Sequence, residues 1–99
     1  MPKYIVERVV PEVGDLSLEK LDQLANLARP ALEHFGGRVQ WLESFVTQNK
    51  IYSIITAPDE ATVRQYAKMT NLPTDHIYLI KLVADITTGE QLLKPAHPA

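Results

Sequence analysis

The spacing of apolar residues changes along the chain, and each change predicts a different element. The run KYIVERVV near the start alternates and is rich in β-branched side chains, which predicts a strand. From Leu18 to Phe35 the apolar positions recur three and four residues apart, which predicts a helix with Ser17 as its N-cap. Pro30 falls inside this helix and is expected to kink it, because proline lacks the amide hydrogen and crowds the carbonyl four residues back.

The second half of the chain is predicted to form two strands, a helix and a last strand. Residues 38–47 and 50–57 read as two strands of a hairpin, separated by a short polar turn. Pro58 is expected at the first position of a second helix, which its apolar spacing extends to about residue 71. The run HIYLIKLVAD, residues 76–85, predicts the last strand.

The order strand, helix, strand, strand, helix, strand predicts an α+β fold of the ferredoxin-like βαββαβ type. Its four-stranded antiparallel sheet carries both helices on one face. We expect one domain over residues 1–86 and a C-terminal tail over 87–99. The strands place apolar side chains on both faces of the sheet, so the face without helices is expected to be covered by a second copy, which predicts a homodimer.

Composition narrows the possible functions. The chain has 99 residues, 45% of them hydrophobic and 22% charged, which suits one small folded domain. A net charge of −2 with mixed signs argues against nucleic acid as a partner. A bilayer-spanning helix needs about eighteen consecutive apolar residues, and the sequence has no such run and no signal-peptide pattern at its start, so we expect a cytoplasmic protein without membrane association. With no cysteine, a metal site would rest on His, Asp, Glu, backbone and water.

Two glutamates interrupt the apolar strands, and they are the first candidates for chemistry. Glu7 lies in the first strand and Glu43 in the second. Side chains alternate between the faces of a strand, so Trp41, Glu43 and Phe45 are expected on one side, facing the space between the two sheets. A carboxylate there needs a cation, an arginine partner or a raised pKa, and the sequence leaves these possibilities open.

Three histidines are the other candidate metal ligands. His76 begins the last predicted strand and is the best placed of them. His34 lies near a helix C-terminus, where a capping role is expected, and His97 belongs to the tail. Their spacing matches no compact metal motif, so a site would have to be assembled by the fold or the dimer.

Two segments of the sequence resemble a known family. The opening YIVERVVPEVG and the longer stretch VQWLESFVTQNKIYSIITAPDEATVRQYAKMTNLPTD resemble the small bacterial ferredoxin-like domains of unknown function that include a nickel-binding protein. The resemblance implies a dimeric αβ sandwich. It also implies a divalent metal, with nickel first, and directs attention to Glu7, Glu43 and the hairpin.

Three positions depart from the pattern of that family. Ser53 stands where a cysteine is expected, Thr56 where a glutamate is expected, and Tyr66 where a helix histidine is expected. Each replaces a good ligand type by a weaker one. The resemblance therefore implies the fold more firmly than it implies nickel binding.

Three functional hypotheses follow. The first is a dimer that binds nickel, another divalent metal or a small ligand between its sheets through Glu7, Glu43 and His76. The second is a cofactor-free enzyme of the dimeric-barrel type, with Glu43 as a general base in an apolar cavity. The third is an interaction module without chemistry, in which the glutamates pair with Arg8 or Arg38 across the dimer.

Overall fold

The computed structural model describes residues 1–85 and a two-residue strand at 94–95, which it divides into strands and helices. The strands are β1 (Lys3–Val9), β2 (Gln40–Val46), β3 (Lys50–Thr56), β4 (His76–Leu79), β5 (Leu82–Val83) and β6 (Lys94–Pro95). The α-helices are α1 (Leu18–Asn26), α2 (Arg29–Phe35) and α3 (Glu60–Met69). None of the helices in these described ranges is long and apolar enough to cross a membrane.

The main sheet has four antiparallel strands in the order β2-β3-β1-β4. The two strands that are joined by the hairpin, β2 and β3, are neighbours, and β1 lies between β3 and β4. This order confirms the predicted α+β fold with a four-stranded antiparallel sheet.

The core lies between one face of the sheet and the helices. Alternate residues of the central strands point to it, among them Val6 and Ile55, which are fully buried. Phe35 of α2 and Val63 of α3 pack into the same cluster. All buried helix residues meet this one face, which we call the helix face. The opposite side is called the open face below.

The predicted first helix is two helices, and the break lies earlier than Pro30. Pro30 sits in the first turn of α2, and α1 ends at Asn26, four residues before it. This spacing is expected, because the proline ring crowds the carbonyl of Asn26 and offers it no amide hydrogen. The amides of Leu27 and Ala28 bond three residues back instead, to Leu24 and Ala25. The N-cap at Ser17 is confirmed, since its hydroxyl accepts from the amide of Lys20 at 3.2 Å.

The last helix starts later than predicted. Asp59 is its N-cap, and its carboxylate accepts from the Thr62 amide at 2.8 Å and the Thr62 hydroxyl at 2.7 Å. These hydrogen bonds lower the pKa of Asp59. Pro58 therefore precedes the cap rather than occupying the first helical position, because the carboxylate caps the chain better than a proline can begin it.

A β-bulge in β2 corrects the predicted sides of that strand. Trp41 pairs with Ile55 and Glu43 pairs with Ile54, so Leu42 is an extra residue without a partner of its own. The bulge breaks the strict alternation, and Trp41 consequently packs on the helix face while Glu43 points to the open face. The prediction that Trp41 and Glu43 share a side was wrong. The prediction that Glu43 and Phe45 share one is confirmed by their pairing with Ile54 and Tyr52.

The predicted last strand is interrupted. β4 ends at Leu79, and residues 82–83 form a separate short strand that pairs with 94–95. Most of the predicted tail, 87–99, lies outside the described residues, as does His97.

A close approach fixes the loop after β1 against the hairpin turn. The amide of Gly14 donates to the Gln48 carbonyl at 3.0 Å, and the amide of Glu12 donates to the Asn49 side chain at 2.9 Å. A Cβ at Gly14 would lie 2.8 Å from the Cα of Gln48 and 2.9 Å from the carbonyl oxygen of Thr47. Both neighbours are backbone atoms, so only glycine fits without moving the turn.

Gly14→Ala is therefore expected to lower the free energy of unfolding by about 1–3 kcal/mol, the usual cost of overpacking. Gly37→Ala is the matched control, because a Cβ at Gly37 has nothing within 4 Å. Urea unfolding of both variants checks the difference. Equal midpoints would show that the loop and the hairpin turn do not hold each other in place.

Candidate functional site

The open face of the sheet is mainly apolar and accessible. Ile5 of β1 lies between Ile54 of β3 and Tyr78 of β4. Phe45 extends this surface on β2 and is 54% exposed. Apolar side chains from four strands thus form one continuous surface, which we call the open-face patch.

Two of the predicted ligands, Glu7 and His76, meet at this patch. They are cross-strand partners of β1 and β4, so their side chains stand next to each other on the open face. His76 also stacks on Tyr78, with ring centroids 5.7 Å apart. The structure therefore brings a carboxylate and an imidazole together, although they are 69 residues apart in the chain.

Lys50 is the present partner of the Glu7 carboxylate. Its Nζ lies 3.6 Å from Oε2 of Glu7, and 42% of the lysine side chain is exposed against 13% of the glutamate. The nearby Glu7 carboxylate raises the pKa of Lys50, with a smaller contribution from Tyr52. Because the ammonium sits on a long and accessible side chain, a stronger cation can displace it.

Glu43 lies on the same face but apart from this pair. It is opposite Ile54, whereas Glu7 is opposite Tyr52, and the whole of β3 separates the two glutamates. Glu43 is exposed in the single chain. Of the two aromatic residues that the enzyme hypothesis places around Glu43, Phe45 shares its face of the sheet, whereas Trp41 lies on the opposite face.

Within one copy of the chain, neither Arg8 nor Arg38 forms an ion pair with Glu7 or Glu43. Arg8 points to the helix face, opposite to Glu7, and the guanidinium of Arg38 lies over the Phe35 ring at 5.7 Å. His34 makes an edge contact with the same ring. Within residues 1–85 no three His, Asp or Glu side chains come together as a ready metal site.

The helix face holds a second candidate, a cavity of about 160 Å³ beneath α1. Its upper wall is apolar and consists of Leu21, Leu24 and Ala25 of α1, followed by Ala28. Its floor is the helix face of the sheet. Helix α1 contributes no fully buried residue, so it covers the sheet loosely compared with α2 and α3.

Arg8 lies in the floor of this cavity with only 3% of its surface exposed. One nitrogen of its guanidinium, Nη1, donates to the Pro73 carbonyl at 3.0 Å and to the Thr74 hydroxyl at 3.1 Å. Both acceptors are uncharged. Burial lowers the pKa of Arg8, as expected for a cation removed from water.

A chain of hydroxyl hydrogen bonds lies beside the arginine. The indole Nε1 of Trp41 donates to Oγ of Ser44 at 2.9 Å, and this oxygen lies 2.8 Å from Oγ of Ser53. Tyr66 of α3 also lines the cavity, and its burial raises the pKa of the phenol. The bulge at Leu42 creates this arrangement, because it places Trp41 and Ser44 on the same face.

A model of the family described as nickel responsive protein SCO4226-like matches residues 4–80. The chain belongs to this family. The resemblance noted in the sequence is thereby confirmed. The matched range includes Glu7, His76 and the residues that line the cavity.

A solved structure supports the SCO4226-like fold. The protein is similar to the subject of "Crystal structure analysis of SCO4226 from Streptomyces coelicolor A3(2)", with a TM-score of 0.68 and 13% sequence identity. The similarity covers 83% of this chain and 99% of that one. At this identity the likeness establishes the fold alone. No curated protein matches the sequence.

Two of the three positions at which this chain departs from the resembled pattern lie together. Ser53 and Tyr66 both line the cavity on the helix face, whereas Thr56 lies at the end of β3 and donates weakly to Gln40 at 3.4 Å. Sequence reasoning did not single out Arg8 as a cavity residue. The sequence does contain one relevant feature. Arg8 directly follows Glu7 in a predicted strand, so the two side chains must lie on opposite faces of the sheet.

Proposed function

We propose that this SCO4226-like protein binds a divalent metal ion, with nickel as the ion of choice, through Glu7 and His76 between the open faces of two copies. The observation that carries the proposal is the direct cross-strand pairing of these two residues on an accessible face. The family description, nickel responsive, supports the choice of ion.

The donor chemistry fits such an ion. Imidazole and carboxylate ligands suit borderline divalent metals, and water can complete the coordination shell. Glu7 and His76 would hold the metal, which would supply a positive charge and a fixed coordination geometry. Lys50 would leave the Glu7 carboxylate, which its exposed and flexible side chain permits.

The open-face patch supports the second part of the proposal. A monomeric protein rarely exposes a large continuous apolar surface. A symmetric dimer through this patch would bring Glu7 and His76 of each copy to the same interface, because a two-fold axis places the same residues on both sides. Two ligands per chain would then become four per site.

Calorimetric titration of nickel into tag-free, metal-stripped protein tests the site. Glu7→Gln and His76→Gln are each expected to weaken binding by about tenfold or more, since each removes one ligand. Lys50→Met is expected to strengthen it, because the metal no longer competes with an ammonium group. Glu43→Gln is the matched control on the same face, and we expect it to bind as the unmodified chain does.

Two results would contradict the proposal. One is nickel binding that Glu7→Gln and His76→Gln leave unchanged, which would place the metal elsewhere. The other is a loss of binding in Glu43→Gln that equals the loss in Glu7→Gln, which would replace the cross-strand pair by a site built from both glutamates.

A further inference from the structure

We infer that the cavity beneath α1 is a binding site for a small organic acid, with the carboxylate against Arg8 and an apolar ring or short chain against α1. This site lies on the helix face, on the other side of the sheet from Glu7 and His76. It is therefore independent of the proposed metal site.

The first argument is the charge of Arg8. The guanidinium is almost fully buried and has two uncharged acceptors, both on Nη1. Neither of the ion pairs that Lys50 forms with Glu7 and Arg64 forms with Glu60 involves Arg8, and both hydrogen-bond acceptors of its guanidinium are uncharged. A buried cation without an anion is costly, and an anion in the adjoining cavity would remove that cost.

The second argument is a surplus of hydrogen-bond donors. Trp41 donates to Ser44, and one of the two serines donates to the other, which leaves one hydroxyl hydrogen of the pair without an acceptor among them. Tyr66 has no hydrogen-bond partner within the described residues, and Nη2 and Nε of Arg8 have none there either. The polar side chains of the cavity thus offer donors and no carboxylate or amide acceptor, which matches an ionised carboxylate, an acceptor-only group.

The third argument is the size and polarity of the remaining space. The wall opposite Arg8 is formed by Leu21, Leu24 and Ala25, with Leu72 at one end. A cavity of about 150 Å³ is enough for benzene in another protein. The cavity of about 160 Å³ would accept one ring or a chain of similar volume. An acid with an apolar part therefore fits better than an inorganic anion, which would leave the apolar wall unoccupied.

Because α1 packs loosely on the sheet, such a ligand can enter the cavity from this side. Leu21, Leu24 and Ala25 are only partly buried although they face the sheet across the cavity. A ligand that fills the space would complete the packing of this helix and is expected to raise the melting temperature of the protein.

The test is calorimetric and thermal titration of the metal-stripped full chain with benzoate and hexanoate, and with benzyl alcohol as a neutral probe of similar shape. We expect saturable binding of an acid, at least tenfold tighter than that of benzyl alcohol, with a rise in melting temperature. Arg8→Met is expected to abolish the preference for the acid.

Two further variants keep the test decisive. Ala25→Trp changes a residue on the loosely packed helix and fills the cavity, so it should block acid binding even if Arg8→Met folds poorly. Glu7→Gln should leave acid binding unchanged, which separates this site from the metal site. Equal affinity for benzoate and benzyl alcohol, absence of acid binding, or acid binding that survives Ala25→Trp would each overturn the inference.

Discussion

Ile55→Ala is expected to lower the free energy of unfolding by about 2–5 kcal/mol, the range for a large aliphatic side chain removed from a core. Ile55 is fully buried at the centre of the sheet, between Tyr4 of β1 and Trp41 of β2. Small domains have a total stability of about 5–15 kcal/mol, so this one change removes a large share. Urea unfolding monitored by circular dichroism measures it.

The matched control for this variant is the adjacent residue. Ile54 has the same side chain but points to the open face, where it is only half-buried. Ile54→Ala should therefore cost less than half as much in dilute protein. If the two variants unfold at the same urea concentration, the assignment of the two faces of β3 is wrong.

Phe45→Lys is expected to weaken dimerisation by about 30-fold or more, which corresponds to the loss of a central interface residue. Phe45 is among the most exposed large apolar residues of the sheet, and in the proposed dimer both copies would place a lysine in an apolar interface. Sedimentation velocity over a range of protein concentrations measures the change.

Leu18→Lys is the control for this prediction. Leu18 is 86% exposed and begins α1, on the side of the molecule that carries the helices. A lysine there changes the net charge equally but should not alter association. A dimer that dissociates equally in both variants, or in neither, would show that the open-face patch is not the interface.

Much of the fold was predictable because the spacing of apolar residues and the residues that end or cap elements indicate the same strands and helices. The alternating runs predicted β1 and the β2–β3 hairpin to within two residues at each end. The helical spacing and Ser17 predicted where α1 begins. These features depend on neighbours in the chain, and a single sequence contains them.

The errors arose where a contact across the fold decides the local structure. Strict alternation predicted that Trp41 and Glu43 lie on the same face of the sheet. The extra residue at Leu42 moves the side chains that precede it, including Trp41, to the opposite face. No residue type in QWLESFV requires a bulge. It is favoured by the burial of Trp41 and its hydrogen bond to Ser44, which exist only once the helices cover the sheet.

In the candidate sites, too, the sequence indicated residue types but not contacts across the fold. Glu7 and His76 were recognisable as ligand types, but their adjacency depends on the register between β1 and β4. The cavity was not predictable, because it results from how loosely α1 covers the sheet. Arg8 became a candidate only when its uncharged partners, Pro73 and Thr74, were known.

The bulge at Leu42 also bears on how the protein avoids uncontrolled self-association. β2 is an edge strand with an aromatic and aliphatic sequence, and a flat strand of this kind would offer its free amides and carbonyls to the edge of another molecule. The extra residue interrupts that row and twists the strand locally. Ribbon-like growth through this edge is thereby hindered, and in the proposed dimer the copies would instead meet through the face of the sheet, where contact can close after two molecules.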